Sequence, residues 1–280
     1  MMLFNKRKYG WFSTIGIVLL LFIFSSGCRS YGSSNHVLLS DIPEDLCAPS
    51  SDFSNAMKFH VTADQMDLAA VNTYPQKVSK LTNSTPYDVE ILIDHVIYFD
   101  LNPVPYEQYK YEEVVGQYVE SSDLVQVDSE KISQIADTFV APSASIQTIV
   151  GKALSWTKEN IKYDETLAGE IYAGTSKGRS AEETLDCKQG TCSEYSNVFI
   201  AFMRHLGIPA RYVEGFWMTD SDMHMYHAWA EFYLQGYGWI PVDPMTGTWG
   251  QVPEYVKLFV GKDFADINVE LRDINASYTK

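Results

Sequence analysis

Basic residues are scarce in this chain: 21 Lys and Arg stand against 36 Asp and Glu, a formal net charge of −15. Removal of residues 1–27, a step argued below, takes away three basic and no acidic residues, so 18 basic and 36 acidic residues remain and the net charge becomes −18. A surface of that sign repels nucleic acid and anionic lipid headgroups, which excludes both as electrostatic partners and mildly favours basic substrates. Cysteine is sparse too. Cys28, Cys47, Cys187 and Cys192 are the full set, which leaves room for few structural bridges. No nucleotide, haem or metal motif occurs and no internal repeat is present, so no cofactor is expected. The sequence Asp220, Asp222, His224 offers oxygen and nitrogen ligands, but no calcium-loop spacing follows it, and a polar surface loop accounts for it.

Long apolar runs are absent except at the amino terminus. There Lys6, Arg7 and Lys8 precede the run Ile15–Phe24, followed by Ser25-Ser26-Gly27-Cys28. A basic start, a short apolar stretch and small residues before a cysteine resemble a bacterial lipoprotein signal, with Ser25 departing from the usual pattern. The resemblance implies removal of residues 1–27, acylation of Cys28 and an extracytoplasmic, membrane-anchored protein. The competing reading is an uncleaved membrane anchor, and both put the rest of the chain outside the cytoplasm. Residues 28–51 are rich in Ser, Gly, Pro and Asn and read as a flexible tether.

What the chain does have is a cysteine at the start of a helix. From Thr191 to Leu206 the apolar residues Tyr195, Val198, Phe199, Phe202, Met203 and Leu206 recur at helical spacing. Thr191 with Glu194 three residues on is a capping-box pattern, and Gly207 before Ile208-Pro209 is a stop signal. Cys192 then occupies the first helical position, where unpaired N–H groups and the helix dipole favour a thiolate and can hold an oxyanion. Gly190 is read as allowing a tight entry turn and the approach of a substrate. A small buried hydrophobe is the ordinary fate of a free cysteine; the cap and the residues downstream argue against it here.

Downstream, His227 to Leu234 alternates as a half-buried strand: His227, Trp229, Glu231 and Tyr233 share one face. Gln235-Gly236-Tyr237-Gly238 is a turn, and Trp239 to Asp243 returns as the partner strand. An imidazole can move the thiol proton, and a carboxylate on its other nitrogen fixes the tautomer. In an ideal hairpin, Asp243 falls about three residues short of facing His227, roughly 10 Å, so a bulge or strong twist is expected to close the gap. Trp229 and Trp239 read as core or cleft walls, and Glu231 as a structural ion-pair partner.

Gly190-Thr191-Cys192-Ser193-Glu194-Tyr195, Arg204–Arg211, His227-Ala228-Trp229-Ala230-Glu231 and Gly238–Pro244, in this order and at these gaps, resemble the core of the transglutaminase-like superfamily. The resemblance runs from about Ser129 to Lys262. It implies an α+β, papain-like catalytic domain with a Cys192-His227-Asp243 triad acting through a thioester on a peptide, protein or cell-wall amide. Hydrolysis by a cysteine peptidase or amidase is favoured over glutamine cross-linking. A catalytically silent binding module is the alternative from another class, and a cysteine–histidine metal site lacks further ligands at suitable spacing. Within the same segment Trp156–Asp164 resembles the family's helix end upstream of the nucleophile, where Tyr163 reads as a core aromatic or an oxyanion donor.

The remaining organisation is read from pattern. Residues 52–128 carry short alternating stretches such as Asp88–Ile93 and Tyr109–Val115, and suggest a small β-sandwich ahead of the catalytic domain at 129–262. Ser129–Val140 and Ser145–Ile161 bear helical stripes. Residues 263–280 read as a C-terminal tail. An odd number of cysteines after Cys28 leaves either a Cys47–Cys187 bridge or free thiols.

Overall fold

A computed structural model describes residues 38–43, 45, 53–54, 56–84, 86–94, 102–218, 224–249, 255–267 and 276–279. The signal, the tether apart from residues 38–43 and 45, Cys28, Cys47, His36, His95, Asp220 and Asp222 lie outside the described residues, whereas residues 38–43 of the tether hold a 3-10 turn at Leu39–Asp41 and bury Ile42 in the core of the small sheet. Among the described residues, no helix is long and apolar enough to cross a membrane.

The helical stripes fold as read. Ser145 caps α3 (Ile146–Asn160) by accepting from the Thr148 N–H, and Ile146, Ile149, Val150, Ala153 and Leu154 are buried. Before it, α2 (Glu130–Ala136) runs into a 3-10 turn at Asp137–Phe139. After it come the short strand β4 (Lys162–Tyr163), α4 (Glu165–Tyr172), α5 (Ala181–Cys187), β5 (Gln189–Gly190) and α6 (Cys192–His205). The apolar stripe of α6 is only part of its burial: Ser193 through Arg204 are all buried. The reason is position, since α2, α3 and α5 pack against α6 on the helical side and the sheet strands β6 (Ala210–Met218) and β7 (His224–Leu234) on the other. Gly207, at φ 70°, then turns the chain out of the helix.

The sheet behind α6 has five strands in the order β10-β6-β7-β8-β9: β6 (Ala210–Met218), β7 (His224–Leu234), β8 (Gly238–Asp243), β9 (Thr248–Trp249) and β10 (Tyr255–Gly261). Alternation along β7 divides it as expected. Ala228, Ala230, Phe232 and Leu234 join the large core with α6, whereas Trp229 joins a separate cluster with Val213 and Tyr255.

The second sheet is smaller, in the order β11-β1-β3-β2: β1 (Met57–Ala63), β2 (Gln76–Ser84), β3 (Tyr87–Ile93) and β11 (Ala276–Thr279). Asp88–Ile93 is therefore a strand. Tyr109–Val115 is not. That segment follows a 3-10 turn at Tyr106–Gln108 and runs into a second at Glu113–Val119, and it is tied to the catalytic half, because the Tyr106 hydroxyl donates to the Leu206 carbonyl (2.9 Å) and the Tyr109 hydroxyl to the Tyr233 carbonyl (2.6 Å). Nor does the small sheet form a sandwich of its own. Phe59, Val61, Val89 and Ile91 share a core with Phe216, Val256 and Leu258 of β6 and β10, and the distant β11 supplies its edge. Gln76 stitches the two sheets by donating to the Lys257 carbonyl and accepting from the Lys257 N–H, both at 3.0 Å.

Candidate active site

The helix start at Cys192 is built as its sequence suggests. The Thr191 side chain accepts from the Ser193 N–H at 3.3 Å, and Glu194 Oε2 accepts from both the Thr191 N–H and hydroxyl at 2.7 Å. Glu194 is fully buried, and its other oxygen accepts from the Arg179 N–H at 2.9 Å. Gly190 proves necessary for a different reason from the one expected. A Cβ there would come within 2.3 Å of Glu194 Cβ, so the glycine makes room for the capping acid. The parallel pair β4–β5 sets Tyr163 opposite Gly190. Tyr163 is 46% exposed, which overturns its reading as a core aromatic; burial of part of its ring and the nearby charge of Cys192 raise its pKa.

His227 and Asp243 come together without a bulge. The β7–β8 register runs unbroken from Leu234↔Gly238 to Ala230↔Val242. Continued by one step it sets Asp243 across from Trp229, two residues from His227 rather than three and on the same face. A diagonal neighbour at that offset is within reach of an imidazole. The ring closes the gap: His227 Nε2 donates to Asp243 Oδ2 at 3.0 Å. That leaves Nδ1 as the ring nitrogen available to Cys192, whose proximity raises the pKa of His227.

Asp243 is fully buried yet well supplied with donors. Besides His227, the Tyr255 hydroxyl donates to Oδ2 at 2.7 Å, and the N–H groups of Met245 and Thr246 donate to Oδ1 at 2.9 and 3.2 Å. Burial alone would raise its pKa; the His227 and Tyr255 bonds outweigh burial and hold it below the ordinary carboxylate value. Burial would likewise lower the pKa of His227, but its bond to Asp243 and the proximity of Cys192 win and lift it to about 10. Three rings flank the imidazole, those of Trp217, Tyr255 and Trp229, with centroids 5.5, 5.4 and 6.4 Å away.

The other sequence candidates sort cleanly. Glu231 is an ion-pair residue: it accepts from Arg211 Nε and Lys257 Nζ, each at 2.7 Å, with all three side chains buried. Trp239 is sheet packing, edge-to-face with Tyr233 and with the Arg211 guanidinium 4.1 Å above its ring. His205 joins the end of α6 to the Val127 carbonyl and to Asp137 at 3.0 and 3.1 Å. Cys187 is exposed and free. Among the described residues no cluster of three or more His, Cys, Asp or Glu could hold a metal. Tyr255 was missed by sequence reasoning. It is an aromatic residue at the start of a strand twelve residues past Asp243, and only the pairing Tyr255↔Trp217 brings it to the site.

This geometry can be set beside known proteins. Residues 133–244, the segment that holds Cys192, His227 and Asp243, match the family model of the transglutaminase-like superfamily. A crystal structure described as a "Putative Cysteine Protease" from Cytophaga hutchinsonii shares the fold. It superposes with a TM-score of 0.56 at 23% identity, covering 81% of this chain and 89% of that one. The chain is also similar to an uncharacterized protein of Haemophilus influenzae, 24% identical over 163 residues, which are 51% of this chain and 43% of that protein. A protein-glutamine gamma-glutamyltransferase of Pseudomonas aeruginosa is 31% identical over 82 residues, 26% of this chain and 12% of that protein. The chain thus spans less than half the length of these curated relatives. The fold is α+β, of the transglutaminase-like and papain-like type.

Proposed function

We propose that Cys192, His227 and Asp243 are the catalytic triad of an exported thiol enzyme that cleaves amide bonds in peptides, proteins or cell-wall material. One observation carries this reading: a cysteine at a capped helix N-terminus stands close enough to a histidine to raise its pKa, and a buried aspartate holds that histidine's Nε2 at 3.0 Å. The Cys192 thiolate attacks the amide carbonyl and a C–S bond forms. The Cys192 N–H steadies the oxyanion, and we assign the second donor to the exposed Tyr163 hydroxyl beside it. As the C–N bond breaks, the His227 imidazolium gives its proton to the leaving amine. Water then attacks the thioester carbonyl and passes a proton to His227, and the C–S bond breaks to release a carboxylic acid and restore the thiolate. Asp243 holds the imidazole in place throughout.

Water as the resolving nucleophile needs no second substrate and no closed channel. Cross-linking through a lysine amine is the second reading, and the name of the Pseudomonas aeruginosa relative favours it. Incubation with glutamine-containing peptides and a labelled primary amine separates the two. Cys192-dependent hydrolysis exceeding amine incorporation supports the first reading; the reverse overturns it in favour of cross-linking. Absence of both products across varied peptides and wall fragments moves the reading to a silent binding module. The same proposal places the protein outside the cytoplasm on a lipid anchor at Cys28. Mass spectrometry should find a mature chain starting at an acylated Cys28, and any other start counts against the anchor.

A further inference from the structure

Directly beside the nucleophile runs a line of three buried polar side chains that the triad does not use. Ser193 follows Cys192 in the first turn of α6, and Tyr212 and Glu214 project from β6; Ser193 is 5% exposed and the other two are fully buried. The Tyr212 hydroxyl donates to Glu214 Oε1 at 2.9 Å. Its single hydrogen is thereby committed, so toward Ser193 Oγ, also 2.9 Å away, it can only accept. The line therefore has a direction, from Ser193 through Tyr212 to Glu214. Tyr212 is itself packed against the Phe264 ring.

Two features set Glu214 apart from an ordinary buried acid. Its Oε2 is buried with no hydrogen-bond partner among the described residues, and the buried cations are engaged elsewhere, Arg211 and Lys257 with Glu231 and Arg204 with the carbonyls of Ala210 and Lys262. Burial pushes Glu214 up to about 8, with the Tyr212 bond opposing only in part. An ionised carboxylate there would be an unpaired buried charge, and Tyr212 already feels the charge of Cys192. The position is also close to the other half of the site: Glu214 pairs with Ala228, and the next residue, Gly215, pairs with His227.

We propose that Glu214 is a positioning residue for the nucleophile: as the final acceptor of the Ser193–Tyr212–Glu214 line, it fixes the first turn of α6 against β6 and keeps Cys192 aligned with His227. The cap formed by Thr191 and Glu194 anchors the same turn to Arg179. The Ser193 line is a second anchor, to the strand that pairs with the one carrying His227, and two anchors fix an orientation that one leaves free to rock. The role needs a neutral acceptor and not a charge. This inference rests on Cys192 being an activated nucleophile.

The test is the rate at which iodoacetamide alkylates Cys192 in the full chain purified in detergent, read by peptide mass spectrometry, with exposed Cys187 as the internal reference. Tyr212→Phe and Glu214→Leu should slow labelling of Cys192 about tenfold and leave Cys187 unchanged. Glu214→Gln, which keeps a neutral acceptor, should bring the rate back to within about threefold of the parent. Ser193→Ala reads the same line from its other end, should Glu214→Leu fail to fold by circular dichroism. Parental labelling in folded Tyr212→Phe and Ser193→Ala overturns the proposal, as does Glu214→Gln labelling as slowly as Glu214→Leu. His227→Ala in the same assay separates the two levels. If it slows labelling while Tyr212→Phe does not, only the positioning role fails; if neither slows it, the activated nucleophile fails and the positioning role with it.

Discussion

Asp243 and Glu214 are both fully buried carboxylates on one five-stranded sheet, and they are held in opposite protonation states at neutral pH. Asp243 receives four hydrogen bonds, one of them from a histidine that stays protonated up to about 10. Glu214 receives one, from a neutral hydroxyl, and burial carries it to about 8. Glu231 sharpens the contrast. It is buried as deeply, yet two cations hold its pKa below the ordinary value against desolvation. Burial therefore does not decide whether an acid in this sheet is charged; the donors facing it do. In the proposed mechanism the charged acid would support an imidazolium at His227, and the neutral one would add no like charge behind Cys192.

Removing the charge at Asp243 should break the comparison most completely. Asp243→Asn keeps the shape but offers His227 either a neutral acceptor or a clashing donor. Amidase activity should fall by about 10⁴, the scale seen for the equivalent change in a serine triad. The pH profile carries the sign. The raised His227 value means that the imidazolium's contribution is present below its ordinary 6.5 and is lost as pH rises through about 10. Without the Asp243 charge that loss should move to lower pH, read as an earlier fall of histidine-dependent Cys192 alkylation in a pH series. An unchanged profile would show that Asp243 does not support the imidazolium.

A smaller break comes from Tyr255→Phe, which takes away one of the four donors and keeps the ring packed against His227 and Trp229. Cys192 labelling at neutral pH should slow by roughly three- to tenfold, the cost of one hydrogen bond to a charged acceptor. No change would mean that the remaining three donors hold Asp243 unaided.

How far the sequence reached follows the range of each contact. The helix start was legible because Thr191, Cys192 and Glu194 lie within one turn, where capping chemistry is local. The His227 hairpin was legible from alternation and Gly236, although the offset to Asp243 was overestimated by one residue because the turn centre had to be guessed. Tyr255, Lys257 and the Ser193–Tyr212–Glu214 line were not legible. They depend on which strand lies beside β6 and on a register shift between Lys257 and Phe259, which no local pattern encodes. The small sheet was half legible: Asp88–Ile93 alternates and forms a strand, but its edge comes from Ala276–Thr279, more than 180 residues later.

The mildest perturbation sharpens the comparison from Glu214's side, through stability and not rate. The folded value of Glu214, about 8, lies above its ordinary 4.5. Between those two values the unfolded chain releases this proton while the folded chain retains it. Ionisation thus favours unfolding increasingly as pH rises from about 4.5 to about 8, and above that the penalty stays constant. Gln has no proton to release. Glu214→Gln should therefore melt close to the parent at pH 5 and progressively above it toward pH 8, by roughly 2–4 °C for each kcal/mol gained. Asp243→Asn should instead melt below the parent by a margin that stays constant from pH 5 to 8, because a carboxylate whose folded pKa is depressed stabilises the fold fully above its unfolded value of 3.8 and loses that contribution only at lower pH. Thermal melts of both variants and the parent across this range decide the matter. A Glu214→Gln difference that is flat with pH would mean that Glu214 is ionised in the folded protein at pH 5 and above, and the contrast between the two acids would be lost.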